Sequence, residues 1–178
     1  MTVKHTKSAA IILFDATVPP ITATAGEGGP ASLKEVSGFL TVPGSAAVDS
    51  TLRFVRVPST AKIKSVRYQT QAQAGSGTVL DIGVYYPTTG LTGLPDLAAN
   101  AIDQNFFASA VGLENLVAPT DVTNESATYT ADKWNQPLWQ ALGIATDPGG
   151  YFDIVGTVLT ADVTTGTGIA GLSVTFTN

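Results

Sequence analysis

The apolar residues of this chain recur with a period of two, and almost nowhere with the period of a helix. In KIKSVRYQTQA (62–72), Val66, Tyr68, Thr70 and Ala72 share one face, while Arg67, Gln69 and Gln71 take the other. After AGSG, Leu80, Ile82, Val84 and Tyr86 line one face, and Asp81, Gly83 and Tyr85 the opposite one. Such alternation marks half-buried strands, and a Gly-containing turn between two of them predicts an antiparallel ribbon over 63–86.

The same pattern predicts strands at Phe39, Leu40 and Val42 before PGS, and at Leu52, Phe54, Val55 and Val57 before Pro58. A further strand is expected around Val122, Thr128 and Tyr129. Phe152, Ile154 and Val158, then Leu172, Val174 and Phe176 after GTGIAG, predict a second hairpin. Helical signals are few. One turn is expected around Ile102 to Ala108. Asp132 can cap a short helix through Trp134, Pro137, Leu138, Trp139 and Leu142, stopped by Gly143. Residues 1–35 show no sustained periodicity: Pro19, Pro20 and GEGGP break any element there, leaving at most a short strand near Ile11 to Phe14. The expected architecture is all-β, an antiparallel β-sandwich of jelly-roll type over residues 36–178. An extended N-terminal arm over 1–35 and one or two short helices complete it.

Composition narrows the function. Charged residues make up 13% of the chain, about half the usual share, and Thr, Ala, Gly and Ser fill the difference. Small neutral side chains cost little to desolvate, so such a surface suits burial against other subunits, a habit that secreted β-domains share. Residues 1–67 carry eight of the nine basic groups against four acidic ones, and Lys133 faces ten acidic groups in the remainder. This polarity either steers one face toward a complementary partner or is scatter in a lightly charged chain. It argues against nucleic acid, because Lys62, Lys64 and Arg67 form a small patch beside an acidic remainder. No segment has the length of a membrane span, and the short apolar run Ala9 to Phe14 does not make a signal peptide, so the chain reads as soluble and unprocessed.

Chemistry has little to work with. The chain has no Cys, which excludes a disulfide framework and a thiolate metal site; it also has no GxSxG elbow, and its one histidine, His5, lies in the unpatterned start, which argues against a Ser/His triad. GTGIAG (166–171) has the GxGxxG spacing of a dinucleotide loop, but the following LSVTFTN alternates as a strand where a helix is required, so it reads as a turn. Asp147 and Asp153, flanking Tyr151 and Phe152, are the candidate carboxylate pair for glycoside hydrolysis. The bland reading makes Asp147 a turn residue and Asp153 an outward strand residue. Asp121, Asn124 and Glu125 are a weak Ca²⁺ candidate, and Asn124-Glu125-Ser126 matches a glycosylation acceptor. Trp134 with Tyr151 would make a sugar platform if exposed, whereas Trp139 reads as core. No catalytic residue, metal or cofactor is assigned.

The segments VRVPSTAKIKSVRYQTQA, GSGTVLDIGVYY, AIDQNFFASAVGL, PLWQALG and DPGGYFDIVGTVLTADVTTGTGIAGLSVTF, in that order, resemble the head decoration, or cement, proteins of tailed bacteriophages. The resemblance covers about 38–178. It implies a non-enzymatic β-sandwich, made in the bacterial cytoplasm, that forms a dimer or trimer on the capsid exterior and staples neighbouring major capsid subunits. Contact candidates with the capsid or between subunits are Ile11, Ile12 and Phe14 in the arm, Gln69 and Gln71 on the ribbon, and Trp134. A head-fibre or tail component and a carbohydrate-binding sandwich are the alternatives.

Overall fold

The alternation in the sequence is used, but between two sheets rather than within hairpins. The computed structural model describes residues 5–7, 33–71, 77–87, 101–113, 117–160, 163 and 168–178. These form β1 (His5–Lys7), β2 (Lys34–Thr41), β3 (Thr51–Pro58), β4 (Lys62–Thr70), β5 (Val79–Tyr85), β6 (Ala101–Gly112), β7 (Val117–Asp121), β8 (Tyr151–Val158) and β9 (Ile169–Thr177). One sheet has the order β1-β3-β8-β5-β6 and the other β2-β9-β4-β7. Every pairing is antiparallel except that of β1 with β3. From β2 onward each strand lies in the sheet opposite its predecessor, except β6, which joins β5. This is jelly-roll connectivity, and the all-β sandwich is as expected.

Both expected hairpins are corrected by this topology. β4 and β5 belong to different sheets, as do β8 and β9; β4 and β8 instead pair with β9 and β5. A period of two reports which face of a strand is buried, and strands facing each other across a sandwich satisfy it as well as strands side by side.

The core lies between the sheets. Val66 and Tyr68 of β4 and Leu172 and Val174 of β9 meet Leu80, Ile82 and Val84 of β5 and Phe152 and Ile154 of β8 in one buried cluster. Each such side chain contributes ~1.5–3 kcal/mol by leaving water. The helical turn expected at Ile102 to Ala108 is strand β6. Its register against β5 slips three times, most widely where Ile82 pairs with Ala108 and Val84 with Asp103. Five steps along β6 thus oppose two along β5, and the slack lets adjacent Phe106 and Phe107 both turn inward. They close an aromatic cluster with Tyr129, with ring centroids 5.0–5.4 Å apart. Tertiary pairing overrides a weak helical pattern here.

The helix expected from Asp132 to Leu142 is broken in two. Ala131–Lys133 makes one 3-10 turn, with Thr130 rather than Asp132 at its start, and α1 (Leu138–Ala141) follows Pro137. The first N–H groups of α1 are satisfied by backbone rather than by a capping side chain: Leu138 donates to Ala61 O and Trp139 to Ser59 O. Gly143, at φ +75°, ends it as expected. The strand expected around Thr128 and Tyr129 is a loop, and β7 lies just before it. The short strand expected near Ile11 to Phe14 lies outside the described residues.

Three buried phenols give the fold a pH limit. Burial pushes the Tyr68, Tyr85 and Tyr129 hydroxyls above their ordinary pKa. Tyr129 donates to Ile63 O at 2.8 Å and Tyr85 shares a 2.6 Å hydrogen bond with Thr157 Oγ1. The folded state therefore holds these protons where the unfolded state, with pKa ~10, releases them. Their contribution is complete below pH ~10 and is lost as pH rises above it. In an alkaline titration the phenolate absorbance is expected to reach its full five-tyrosine amplitude only as the near-UV dichroism collapses. Full titration with the dichroism intact would refute this.

Candidate functional site

The outer face of the four-stranded sheet places the two candidate glutamines together. Gln69 of β4 and Gln71, one residue past its end, lie on the face opposite buried Tyr68 and Thr70, as the alternation requires. Across the sheet Phe39, Gly171 and Gln69 form one row, and Thr41 and Ile169 lie in the neighbouring row beside Gln71. Gln71 is fixed to β9 by its backbone N–H to Ile169 O at 2.8 Å, while its Oε1 accepts the Ile169 N–H at 3.1 Å. Gly171 makes a bed for the Phe39 ring: a Cβ there would lie 2.3 Å from a ring carbon. On the far side, Val117, Ala118 and Pro119 of β7 form a second wall, and Pro119 removes an N–H from that edge.

Between these walls runs a groove of about 380 Å³, lined by Phe39, Gln69, Gln71, Val117, Pro119 and Ile169 among others, none of them charged. Phe39 and Ile169 stay 49% and 42% exposed and lie together on the groove, and it is such grouping of apolar surface that marks a contact face. The structure thus adds Phe39, Ile169, Val117 and Pro119 to the glutamines. The signal for Phe39 was present in the sequence: Phe39 and Leu40 are adjacent in a strand, so one of them had to face out. Leu40 is the buried one.

The other candidates separate. Trp134 is 41% exposed on the turn after Lys133 and does not line the groove, while Trp139 is half-buried against the core. Lys64 donates to Trp134 O and to Asn135 Oδ1, both at 2.9 Å, so this lysine of the small basic patch anchors a turn. Ile11, Ile12 and Phe14 lie outside the described residues. Asp121 accepts from Thr123, Asn124 donates to Tyr129 O, and Glu125 accepts the Ser109 N–H. Each member of the weak Ca²⁺ set thus orders its own loop by a hydrogen bond.

The two carboxylates of the glycosidase reading also part company. Asp147 is exposed and accepts the Gly149 N–H at 2.9 Å, the turn role expected of it. Asp153 does point away from the core, opposite Phe152 and Ile154, as expected, but it is not exposed. It is fully buried on the outer face of the five-stranded sheet, gripped by Arg56 Nε at 2.6 Å and Arg53 Nη1 at 2.7 Å. A bulge in β3 between Arg53 and Val55 rotates the strand so that Arg53 and Arg56, three apart, face the same carboxylate. Burial draws the Arg53 pKa down, and Asp153 works against that shift. A carboxylate held by two guanidinium groups in this way is a structural ion cluster, not an acid or base poised for turnover.

No family model and no curated protein matches the chain. Its fold does match solved chains. One belongs to the capsid of Ralstonia phage GP4: 14% identity, 97% of each chain covered, TM-score 0.61. Another belongs to the cyanophage Pam1 capsid asymmetric unit: 13% identity, TM-score 0.50, with 90% of this chain and 95% of that one covered. The chain thus shares the fold of chains found in phage capsids, over 90% and 97% of its length in the two matches.

Proposed function

We propose that this protein is a structural component of a bacteriophage virion that binds the outside of the capsid and clamps neighbouring major capsid subunits without covalent bonds. The observation that carries this reading is the near-complete coverage of both partners in the fold match, 97% of each chain for the GP4 capsid chain. A shared jelly roll alone is weak support, because the fold hosts many functions. The neutral groove adds a surface suited to burial. Its apolar walls gain by leaving water and its glutamines can exchange hydrogen bonds with a partner backbone. In this reading the protein is a dimer or trimer, and residues 1–35 form an arm whose Ile11, Ile12 and Phe14 make a second contact. Binding only the expanded shell would stabilise it by mass action, and repeated copies make weak contacts sufficient.

The test is co-sedimentation with undecorated capsids of the host phage, together with light scattering of the protein alone. Saturable binding at a fixed ratio to the major capsid protein is expected. Ile169→Asp should weaken it by about tenfold or more, the scale of one buried anchor, while leaving the thermal midpoint unchanged. No binding by the folded wild type would overturn the capsid reading. A glycan-binding or head-fibre role is the second reading, favoured only by the exposure of Trp134. A glycan-induced change in tryptophan fluorescence would support it.

A further inference from the structure

The cluster around Asp153 is unequal. Arg56 takes the carboxylate side-on, Nε donating to Oδ1 at 2.6 Å and Nη2 to Oδ2 at 3.2 Å. This is the bidentate geometry for which a guanidinium edge is shaped. Arg53 reaches the same carboxylate with Nη1 alone, and that nitrogen also donates to Tyr86 O at 3.1 Å. Its own Nε and Nη2, the same edge by which Arg56 holds Asp153, are buried and have no acceptor among the described residues. The Arg53 side chain is only 1% exposed, so bulk water does not serve them.

The nearby groups do not fill that role. Asp153 already accepts from both arginines, and Asp81 is turned toward β6, where it accepts from Ala110 N at 3.0 Å and Gln104 Nε2 at 3.3 Å. The Tyr85 ring lies beneath the guanidinium, 5.7 Å from its carbon, and the Tyr85 hydroxyl is committed to Thr157. Leaving two charged N–H donors dry is costly, and buried charges persist where they are paired.

We propose that the Nε/Nη2 edge of Arg53 binds a small monovalent anion of halide size within the outer layer of the five-stranded sheet. Both unmatched groups are donors lying side by side on one planar edge, so one acceptor without protons of its own satisfies them together. A second cation, Arg56, stands at the same carboxylate and favours an anion over a neutral water. The burial of the site favours a single small ion over a bulky one.

The test compares unfolding at fixed pH and fixed ionic strength as sodium gluconate is replaced by sodium chloride or bromide. The folding equilibrium constant is expected to rise with halide, approaching about tenfold per tenfold increase once the site begins to saturate. Arg53→Lys keeps the charge but removes the fork, and should abolish the dependence. Should that variant fail to fold, bromide-soaked crystals of the wild type decide, with an anomalous peak expected against Arg53 Nε and Nη2. Equal stability in gluconate and halide, a dependence that survives in Arg53→Lys, or bromide peaks confined to the surface would overturn the proposal.

Discussion

Asp153→Asn is expected to destabilise the fold by about 3–5 kcal/mol, because it removes the one carboxylate that two buried guanidinium groups share. The amide keeps the shape of the side chain but not its charge, and an amide nitrogen facing Arg56 or Arg53 replaces an acceptor with a donor. Arg53 has no exposure through which to recover solvation. Asp147→Asn is the matched control. That side chain is exposed and only orders a turn, so its effect should stay within about 0.5 kcal/mol. Urea unfolding measures both, read as shifts in midpoint at constant slope. Equal small effects would mean that Asp153 is not the keystone of the cluster. Glycoside hydrolysis by the wild type that both variants lose with stability intact would instead revive the glycosidase reading.

Gly83→Ala and Gly38→Ala should each cost ~3 kcal/mol or more, at the upper end of overpacking effects. A Cβ on Gly83 would stand 2.1 Å from Asp103 O and 2.2 Å from Gln104 O, where β6 crosses closely over β5. On Gly38 it would stand 2.0 Å from Phe54 O, at the bulge of β3 that turns both arginines toward Asp153. In both cases the obstacle is backbone, which cannot swing aside. Gly156→Ala is the graded comparison: its nearest neighbours are the Phe54 ring at 3.0 Å and Leu80 Cδ1 at 3.3 Å, side chains with room to adjust. Its cost should be clearly smaller. Thermal or urea unfolding of the three variants tests the order, and comparable midpoints would show that β6 and β2 shift more easily than the packing indicates.

These residues mark where local reading stops. Gly83 and Gly38 sit in runs that look like ordinary strand, and their need for the absence of a side chain arises from strands distant in sequence. Asp153 looked outward because alternation sets it opposite Phe152 and Ile154, which do face the core. Yet β3, β5 and β8 are buried at successive positions, so the outer face of their sheet is covered too. Period-two analysis assumes one wet face, and a strand covered on both breaks that assumption. The groove was half legible. Gln69 and Gln71 were assigned to an outward face correctly, whereas Phe39 and Ile169 became their neighbours only through the register of β2 and β9.

By itself the sequence determined the class of fold, the inward face of the main strands and the poverty of reactive side chains. Each of these depends on local pattern or composition. Only the tertiary structure decided which strands pair, that β6 is a strand, that two arginines converge on one aspartate, and that a neutral groove opens on the four-stranded sheet. Pairing and register are set by contacts between residues far apart along the chain. Any two strands with the same inward face satisfy the same local pattern until the closed sandwich selects among them.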